Sequence, residues 1–392
     1  MDKTFASHLI HTGSRVGRSV SHSKALPIYQ TSVFSFDDVE SLEAVYDGKA
    51  PGYIYTRNGN PNHDALNELM SCIEEGEAAL SYSSGMGAIS LSLLAQVNAG
   101  DHIIAADVLY GGSFSFLKTE LARFNVEVSF VNPITEDLSQ YFRPNTRAVY
   151  VETISNPMMD AIDLPAIAST AHRYGAKLIV DNSFATPVIC QPLVLGADIV
   201  VYSATKYIGG HSDVTAGIVV ASKEDIKKIY ASGLLFGPTI SPFDAWLLVR
   251  SLRTLELRII KHSANAMQLA EYFASHPKIK TTYYPGLPSA PTHKVAERLF
   301  YNNCYGGMLS IDLDGGERAV RELFRRLDKI KFVPSLAGVA TTTSYPAQTS
   351  HRALTDDELR RAGISKGLVR ISTGLENIDD VISEFDLTLK QI

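Results

Sequence analysis

Apolar positions change their spacing along this chain, and each change marks an element. Ala65, Leu66, Leu69, Met70 and Ile73 recur three and four residues apart, which predicts a helix from Asn62 that closes at Gly76. Short apolar runs then alternate with helical stretches. Residues 101–105, 126–131, 148–152, 177–181 and 199–202 read as strands, and Gly111 and Gly112 open a helix that runs to Phe124. Such alternation predicts a mainly parallel sheet, with ligands gathered at the carboxyl ends of its strands.

The flanks follow other patterns. Residues 1–60 carry apolar side chains such as Ile28, Val33 and Phe34 at no sustained period, interrupted by Pro27, Pro51 and Gly52, and read as an arm that packs on a neighbouring subunit. Toward the other end, a helix around Trp246 and Leu247 continues through 252–260, a loop follows at 283–289, and 307–313 reads as a strand. The run A-V-R-E-L-F-R-R-L is an amphipathic helix, and 368–372 is a strand that holds Arg370. The expected organisation is an arm (1–60), an α/β domain (61–245) and a smaller α+β domain (246–392).

Composition narrows the class without changing that picture. The 392 residues are 45% hydrophobic and 20% charged, and the net charge of -6 is scattered without long runs, so nothing resembles a nucleic-acid groove or a polybasic membrane patch. No apolar stretch approaches the roughly 20 residues of a membrane span, and the first residues do not read as a secretory leader. Cys72, Cys190 and Cys304 stand far apart with no C-x-x-C spacing, which suits a reducing cytoplasm, and no spacing of Cys or His points to a metal.

Candidate chemistry centres on S-A-T-K-Y-I-G-G, where the strand at 199–202 delivers Lys206 into a polar turn. A lysine amine is a nucleophile near neutral pH only if its surroundings lower its pKa, and Ser203 and Thr205 beside it can hydrogen-bond an anion. Taken alone, S-x-T-K is more often a solvated loop. Ser84, Gly85 and Met86 open a helix whose N–H groups attract anions. Tyr55 and Arg57, two apart in extended chain, share one side of the backbone and can hold a phosphate or a carboxylate. Asp181 closes a strand one strand-helix-strand step before Lys206. It either faces a protonated pyridine nitrogen or caps the next helix.

Six ordered motifs change the odds for Lys206. Y-T-R at 55–57, S-G-M at 84–86, L-Y-G-G at 109–112, S-N-P at 155–157, the strand ending at Asp181 and S-A-T-K-Y-I-G-G-H at 203–211 together resemble the Cys/Met-metabolism family of pyridoxal-5'-phosphate (PLP) enzymes. The resemblance continues to V-R-I-S-T-G-L-E-N at 369–377, so it covers essentially the whole chain. It implies the aspartate-aminotransferase-like architecture (fold type I), an α/β fold with a mainly parallel seven-stranded sheet and a smaller α+β C-terminal domain. Lys206 would hold the cofactor as a Schiff base, Asp181 would pair with its ring nitrogen, Tyr110 would stack on the ring, and Asn156 would bond its 3'-oxygen. Gly85, Met86, Ser203 and Thr205 would hold the phosphate, with Ser84 at the mouth of the same helix. Tyr55 and Arg57 would reach that phosphate from a neighbouring subunit in a homotetramer built as two catalytic dimers. Arg370 would grip the substrate carboxylate, assisted by backbone near Thr341.

The substrate pocket separates the branches. Cystathionine-processing γ-lyases resemble one another in a Glu before the arm's tyrosine, an Arg after Y-G-G-T-N and a Glu in the loop S-L-G-G-x-E-S. Those positions are Ile54, Ser115 and Ala340 here. The distal charged groups of cystathionine would therefore be left unpaired, whereas an apolar pocket suits methionine or homocysteine. The resemblance thus implies a carbon–sulfur lyase of the methionine γ-lyase branch, eliminating a thiol, 2-oxobutanoate and ammonia. Gly112 departs from that branch, which commonly has Cys there, and is shared with O-acetylhomoserine sulfhydrylase. Cystathionine lyase, cysteine desulfhydrase and γ-replacement activities stay open as alternatives.

Overall fold

The computed structural model describes residues 3–12, 23–352 and 354–392. Seven strands make the larger sheet: β1 (Ala78–Tyr82), β2 (His102–Ala106), β3 (Glu127–Val131), β4 (Thr146–Glu152), β5 (Lys177–Asp181), β6 (Ile199–Ser203) and β7 (Gly217–Ala221). Their order is β1-β7-β6-β5-β4-β2-β3. The five strands from β3 to β6 run parallel, and β7 lies antiparallel between β6 and β1. Inner strands such as β6 are apolar at nearly every position because helices cover both faces of a parallel sheet. β7 is missing from the elements the pattern predicts. Its G-I-V-V-A run, as long as β6, follows closely on the polar turn after Lys206.

The parallel strands end together, and that shared edge brings the stretches around Tyr110, Glu152, Asp181 and Ser203 to one place. Across from it stands the smaller sheet: β8 (Ile279–Tyr283), β9 (Met308–Leu313), β10 (Lys331–Phe332), β11 (Thr342–Ser344) and β12 (Leu368–Ser372). It runs β10-β11-β12-β9-β8 and is antiparallel except for the β10–β11 pair.

Two hydrophobic cores match the two sheets, and one helix serves both. On the helix Leu255–Ala274, Leu255 and Ile259 pack in the core of the large sheet, while Ala266, Leu269 and Phe273 pack in that of the small one. Phe273 meets Phe385 edge-on at 5.0 Å between ring centroids, and burying each such ring contributes about 1.5–3 kcal/mol. The boundary expected at 245 falls inside the helix Pro242–Leu252.

The arm contains two helices, Lys3–His11 and Val39–Tyr46, where the sequence shows no sustained period. Residues 13–22 of the arm lie outside the described residues. Its base is tied to its own chain. Trp246 Nε1 donates to Leu26 O, Asn62 Nδ2 to Pro27 O and Asn60 Nδ2 to Tyr29 O, each at 2.9 Å. Asn60 also caps the helix Pro61–Glu74, accepting from Asn62 N, with Pro61 pre-set for the first turn. Among the described residues no helix is long and apolar enough to cross a membrane.

Candidate active site

Beyond Ser203 the chain turns back on itself and fixes the main chain of Lys206. Lys206 N donates to Ser203 O at 3.0 Å, Gly209 N to Ala204 O at 2.8 Å, and Gly210 N to Lys206 O at 2.7 Å. Buried Arg258, on the helix Leu255–Ala274, staples the turn from behind. Its Nη1 donates to Tyr207 O at 2.7 Å and its Nη2 to Ser251 O at 3.0 Å. The Lys206 amine donates to Ser335 Oγ at 2.9 Å. Burial, and then the charge of Arg370, lower its pKa to about 8.

Around this amine lies a cleft of about 240 Å³ between the two sheets. Ser84, Gly85, Met86, Tyr110, Asn156, Asp181, Ser203, Thr205 and Arg370 all line it, so residues spread over most of the chain converge on Lys206. The helix Gly85–Leu94 starts at its wall, capped by Ser84 Oγ, which accepts from Gly87 N at 3.0 Å. A Cβ at Gly85 would stand 2.8 Å from Ser203 Cβ and Oγ, so the glycine lets the helix start lie close against the end of β6. An anion there meets unsatisfied first-turn N–H groups and the positive end of the helix dipole.

The charges in the cleft lack partners of their own. Arg370, 3% exposed, donates through Nη1 to Asn156 Oδ1 at 2.9 Å, and among the described residues no carboxylate pairs with it. Burial pushes its pKa down to about 10. On the facing side, Glu152 and Asp181 sit in register on adjacent strands, both buried. Asp181 Oδ1 accepts from Ser183 N at 2.9 Å and Ser183 Oγ at 2.6 Å. Burial raises the pKa of both carboxyls, and Asp181 raises that of Glu152 further. The two Ser183 donors favour charge on Asp181, so the first proton the pair takes belongs to Glu152. Two cations and a buried carboxylate without ion partners complement a ligand that carries anions and a protonated ring nitrogen.

Other expected residues lie elsewhere in the single chain. Tyr55, Arg57, Ile54, Ser115, Ala340 and Thr341 are outside the cleft lining. Arg57 donates to Leu234 O at 2.7 Å and lies 5.8 Å from the centroid of the Tyr55 ring. The N–H of Thr341 donates to Glu376 and its hydroxyl donates to the same carboxylate at 2.9 Å, so that N–H is already engaged. Conversely, Glu152, Ser183, Ser335 and Arg258 escape the sequence reading. A carboxylate ending the apolar run A-V-Y-V-E was the signal for Glu152, whereas nothing local marks Ser335 or Arg258.

A family model described as Cys/Met metabolism PLP-dependent enzyme matches residues 6–390. The chain belongs to that family. It is 42% identical over 388 residues to L-methionine γ-lyase from Porphyromonas gingivalis, covering 98% of this chain and 96% of the relative. It is 38% identical over 386 residues to cystathionine γ-lyase from Bacillus subtilis, covering 98% of each. Among solved structures, an O-acetylhomoserine (thiol)-lyase from Campylobacter jejuni, bearing an N'-pyridoxyl-lysine-5'-monophosphate, superposes with a TM-score of 0.93 at 27% identity. That match covers 98% of this chain and 99% of the other. PLP, the cofactor of the Cys/Met-metabolism family, fits the residues present, since the helix start at Ser84–Met86 lines the cleft beside Ser203 and Thr205 and, among the described residues, no cation pairs with Asp181.

The lowered pKa of Lys206 sets a pH dependence for the cofactor-free protein. Below about pH 8 the amine is charged in folded and unfolded chains alike, and its burial penalty is felt in full. Between there and its ordinary 10.5 the unfolded chain binds more protons, so this group's contribution to stability rises with pH. Lys206→Met in cofactor-free protein is therefore expected to raise Tm at pH 7, with the gain shrinking as pH climbs through that window. Thermal melts across the range check this, and a constant difference contradicts it.

Proposed function

We propose that this protein is a PLP-dependent carbon–sulfur lyase that eliminates a thiol from L-methionine or homocysteine, leaving 2-oxobutanoate and ammonia. The observation that carries this reading is the set of partnerless charges in the cleft. Buried Arg370 suits an α-carboxylate, Lys206 has an amine ready for proton transfer, and Asp181 awaits a cationic nitrogen. The similarity to L-methionine γ-lyase along nearly the whole chain supports the same reading.

Bound PLP supplies an electron sink for the charge that develops at the substrate Cα. The chain's own residues do the rest. Ser84, Gly85, Met86, Ser203 and Thr205 would hold the cofactor phosphate, and Tyr55 and Arg57 would reach it from a second copy of the chain. Lys206 would hold the cofactor, and its Nζ, whose pKa is lowered to about 8 in the cofactor-free cleft, would take the proton from the substrate Cα close to neutral pH. Asp181 keeps the ring nitrogen protonated, Asn156 orients the ring, and the Tyr110 hydroxyl gives a proton to the departing sulfur. Arg370 holds the carboxylate through two parallel hydrogen bonds. Thr341, pinned by Glu376, stiffens the loop leading into β11, whose Ser344 pairs with Arg370 in register.

Ile54, Ser115 and Ala340, which lie outside the single-chain cleft, stand at the positions where cystathionine-processing relatives resemble one another in carrying charged groups, which favours methionine over cystathionine. A homotetramer of catalytic dimers is consistent with Leu235 and Phe236, 87% and 62% exposed beside the Leu234 carbonyl that Arg57 contacts. The three cysteines form no disulfide, in keeping with a cytoplasmic enzyme. A second reading, γ-replacement on an activated homoserine, draws on Gly112.

Incubation with methionine, homocysteine, cysteine, cystathionine and O-acetylhomoserine separates these readings. Methionine is expected to give the fastest release of 2-oxobutanoate and methanethiol. Pyruvate from cystathionine as the main product overturns the proposal. Thiol incorporation into O-acetylhomoserine with little keto acid favours γ-replacement.

A further inference from the structure

The Leu109–Tyr110 peptide is gripped at both of its polar ends by buried side chains from different lobes. Tyr110 N donates to Glu152 Oε1 at 2.7 Å, and Leu109 O lies 3.0 Å from His351 Nε2. A carbonyl only accepts, so Nε2 of His351 carries the hydrogen. Nδ1 is then the acceptor, and the Ser350 hydroxyl donates to it at 2.9 Å. This tautomer needs a neutral ring, and burial lowers the His351 pKa to about 4.

Neighbouring contacts leave the clamp little slack. A Cβ at Gly111 would come within 1.8 Å of Ser350 O, so the His351 loop lies flush against the peptide after Tyr110. That loop is itself closed, because His351 N donates to Pro346 O at 2.9 Å and Tyr345 hydroxyl donates to Lys366 O at 2.9 Å. It connects β11 to the segment leading into β12, the strand of Arg370. The side chain of Tyr110, in contrast, is not enclosed, since the residue is 43% exposed. Its ring rests against Gly112, where a Cβ would come within 2.5 Å of it, so the direction of the phenol depends on how the backbone from Leu109 to Gly112 is held.

We propose that Glu152 and His351 are positioning residues that clamp the Leu109–Tyr110 peptide and so aim the Tyr110 phenol over the cleft. The clamp joins the large sheet, through Glu152, to the small-sheet lobe, through His351, at the one peptide that carries Tyr110. Arg370 belongs to the same lobe as His351, so a carboxylate held by Arg370 and the phenol that faces it share one rigid frame. The activity consequence rests on the lyase reading above; the structural consequence does not.

The test is a double-mutant cycle on the holoenzyme with hydrogen exchange as a second readout. His351→Phe and Glu152→Ala are each expected to lower kcat about tenfold to a hundredfold when Tyr110 is present, the range for a lost buried hydrogen bond. In a Tyr110→Phe background the same changes should cost less than about threefold, because the group they aim is gone. Amide exchange in the segment around 109–112 should quicken in both variants. Glu152→Gln and His351→Gln, which keep an acceptor and a donor, should restore most of the protection and serve where the larger truncations fold poorly. Equal losses in both backgrounds, or exchange as slow as in the parent, overturn the clamp. A protein with no visible cofactor band defeats the lyase reading instead, and the exchange measurement then still decides the clamp.

Discussion

Lys206→Ala protein is expected to be folded and inactive, with turnover reduced by about 10⁴-fold or more, the upper end of what a single proton-transfer group supplies. Two losses combine in that figure. The amine that bonds the cofactor is gone, and so is the base that takes the Cα proton. Lys206→Arg separates amine chemistry from charge, because a guanidinium stays protonated in proteins and forms no Schiff base. It should be as inactive as the alanine variant, and neither should retain the visible cofactor band that borohydride removes from the parent. Turnover within about tenfold of the parent in either variant would remove Lys206 from the centre of the mechanism.

Arg370→Ala should be felt first in KM. Arg370 is a buried cation that donates to Asn156 Oδ1 and, among the described residues, forms no ion pair, and a substrate carboxylate would be its natural counter-ion. Truncating one member of a buried, hydrogen-bonded charge pair costs about 2–5 kcal/mol, so kcat/KM should fall by about 30-fold to 5,000-fold. Arg370→Lys keeps the charge without the two-pronged geometry and should fall between alanine and parent. Steady-state kinetics on methionine read both. A substrate amide in place of the carboxylate should lose affinity with the parent and lose little more with Arg370→Ala. If KM for methionine is unmoved in Arg370→Ala, the carboxylate lies elsewhere.

Much of this was legible before the fold was known, for a physical reason. Parallel strands collect ligands at their carboxyl ends, which made Asp181 and Lys206 candidates, and the six ordered motifs, not the strand ends alone, decided against a helix cap and a solvated loop. Ser84 and Gly85 were legible because a small-residue turn at a helix start has a chemistry of its own. Arg258, Ser335 and His351 were not, since each reaches the site from a distant segment and its own neighbourhood looks like any amphipathic helix or polar loop. β7, as long as β6, was hidden by its place directly after the polar turn that follows Lys206. The helices Lys3–His11 and Val39–Tyr46 are too short to build a readable period. For Tyr55 and Arg57 the sequence argument went further than one folded chain can, because their expected target belongs to another copy.

The helix Leu255–Ala274 sets a rule for anyone building chimeras from this scaffold. Substrate choice in such enzymes invites transplanting the C-terminal lobe, and the obvious splice point is the boundary near 245. A graft made there brings in a foreign Arg258 equivalent, and with it the staple on the turn that holds Lys206. It also cuts the helix Pro242–Leu252 and replaces Leu255 and Ile259, which the helix Leu255–Ala274 contributes to the core of the large sheet. The junction belongs instead after Ala274, in the short connection before β8, where the donor lobe can be exchanged while the lysine turn keeps its own fastening.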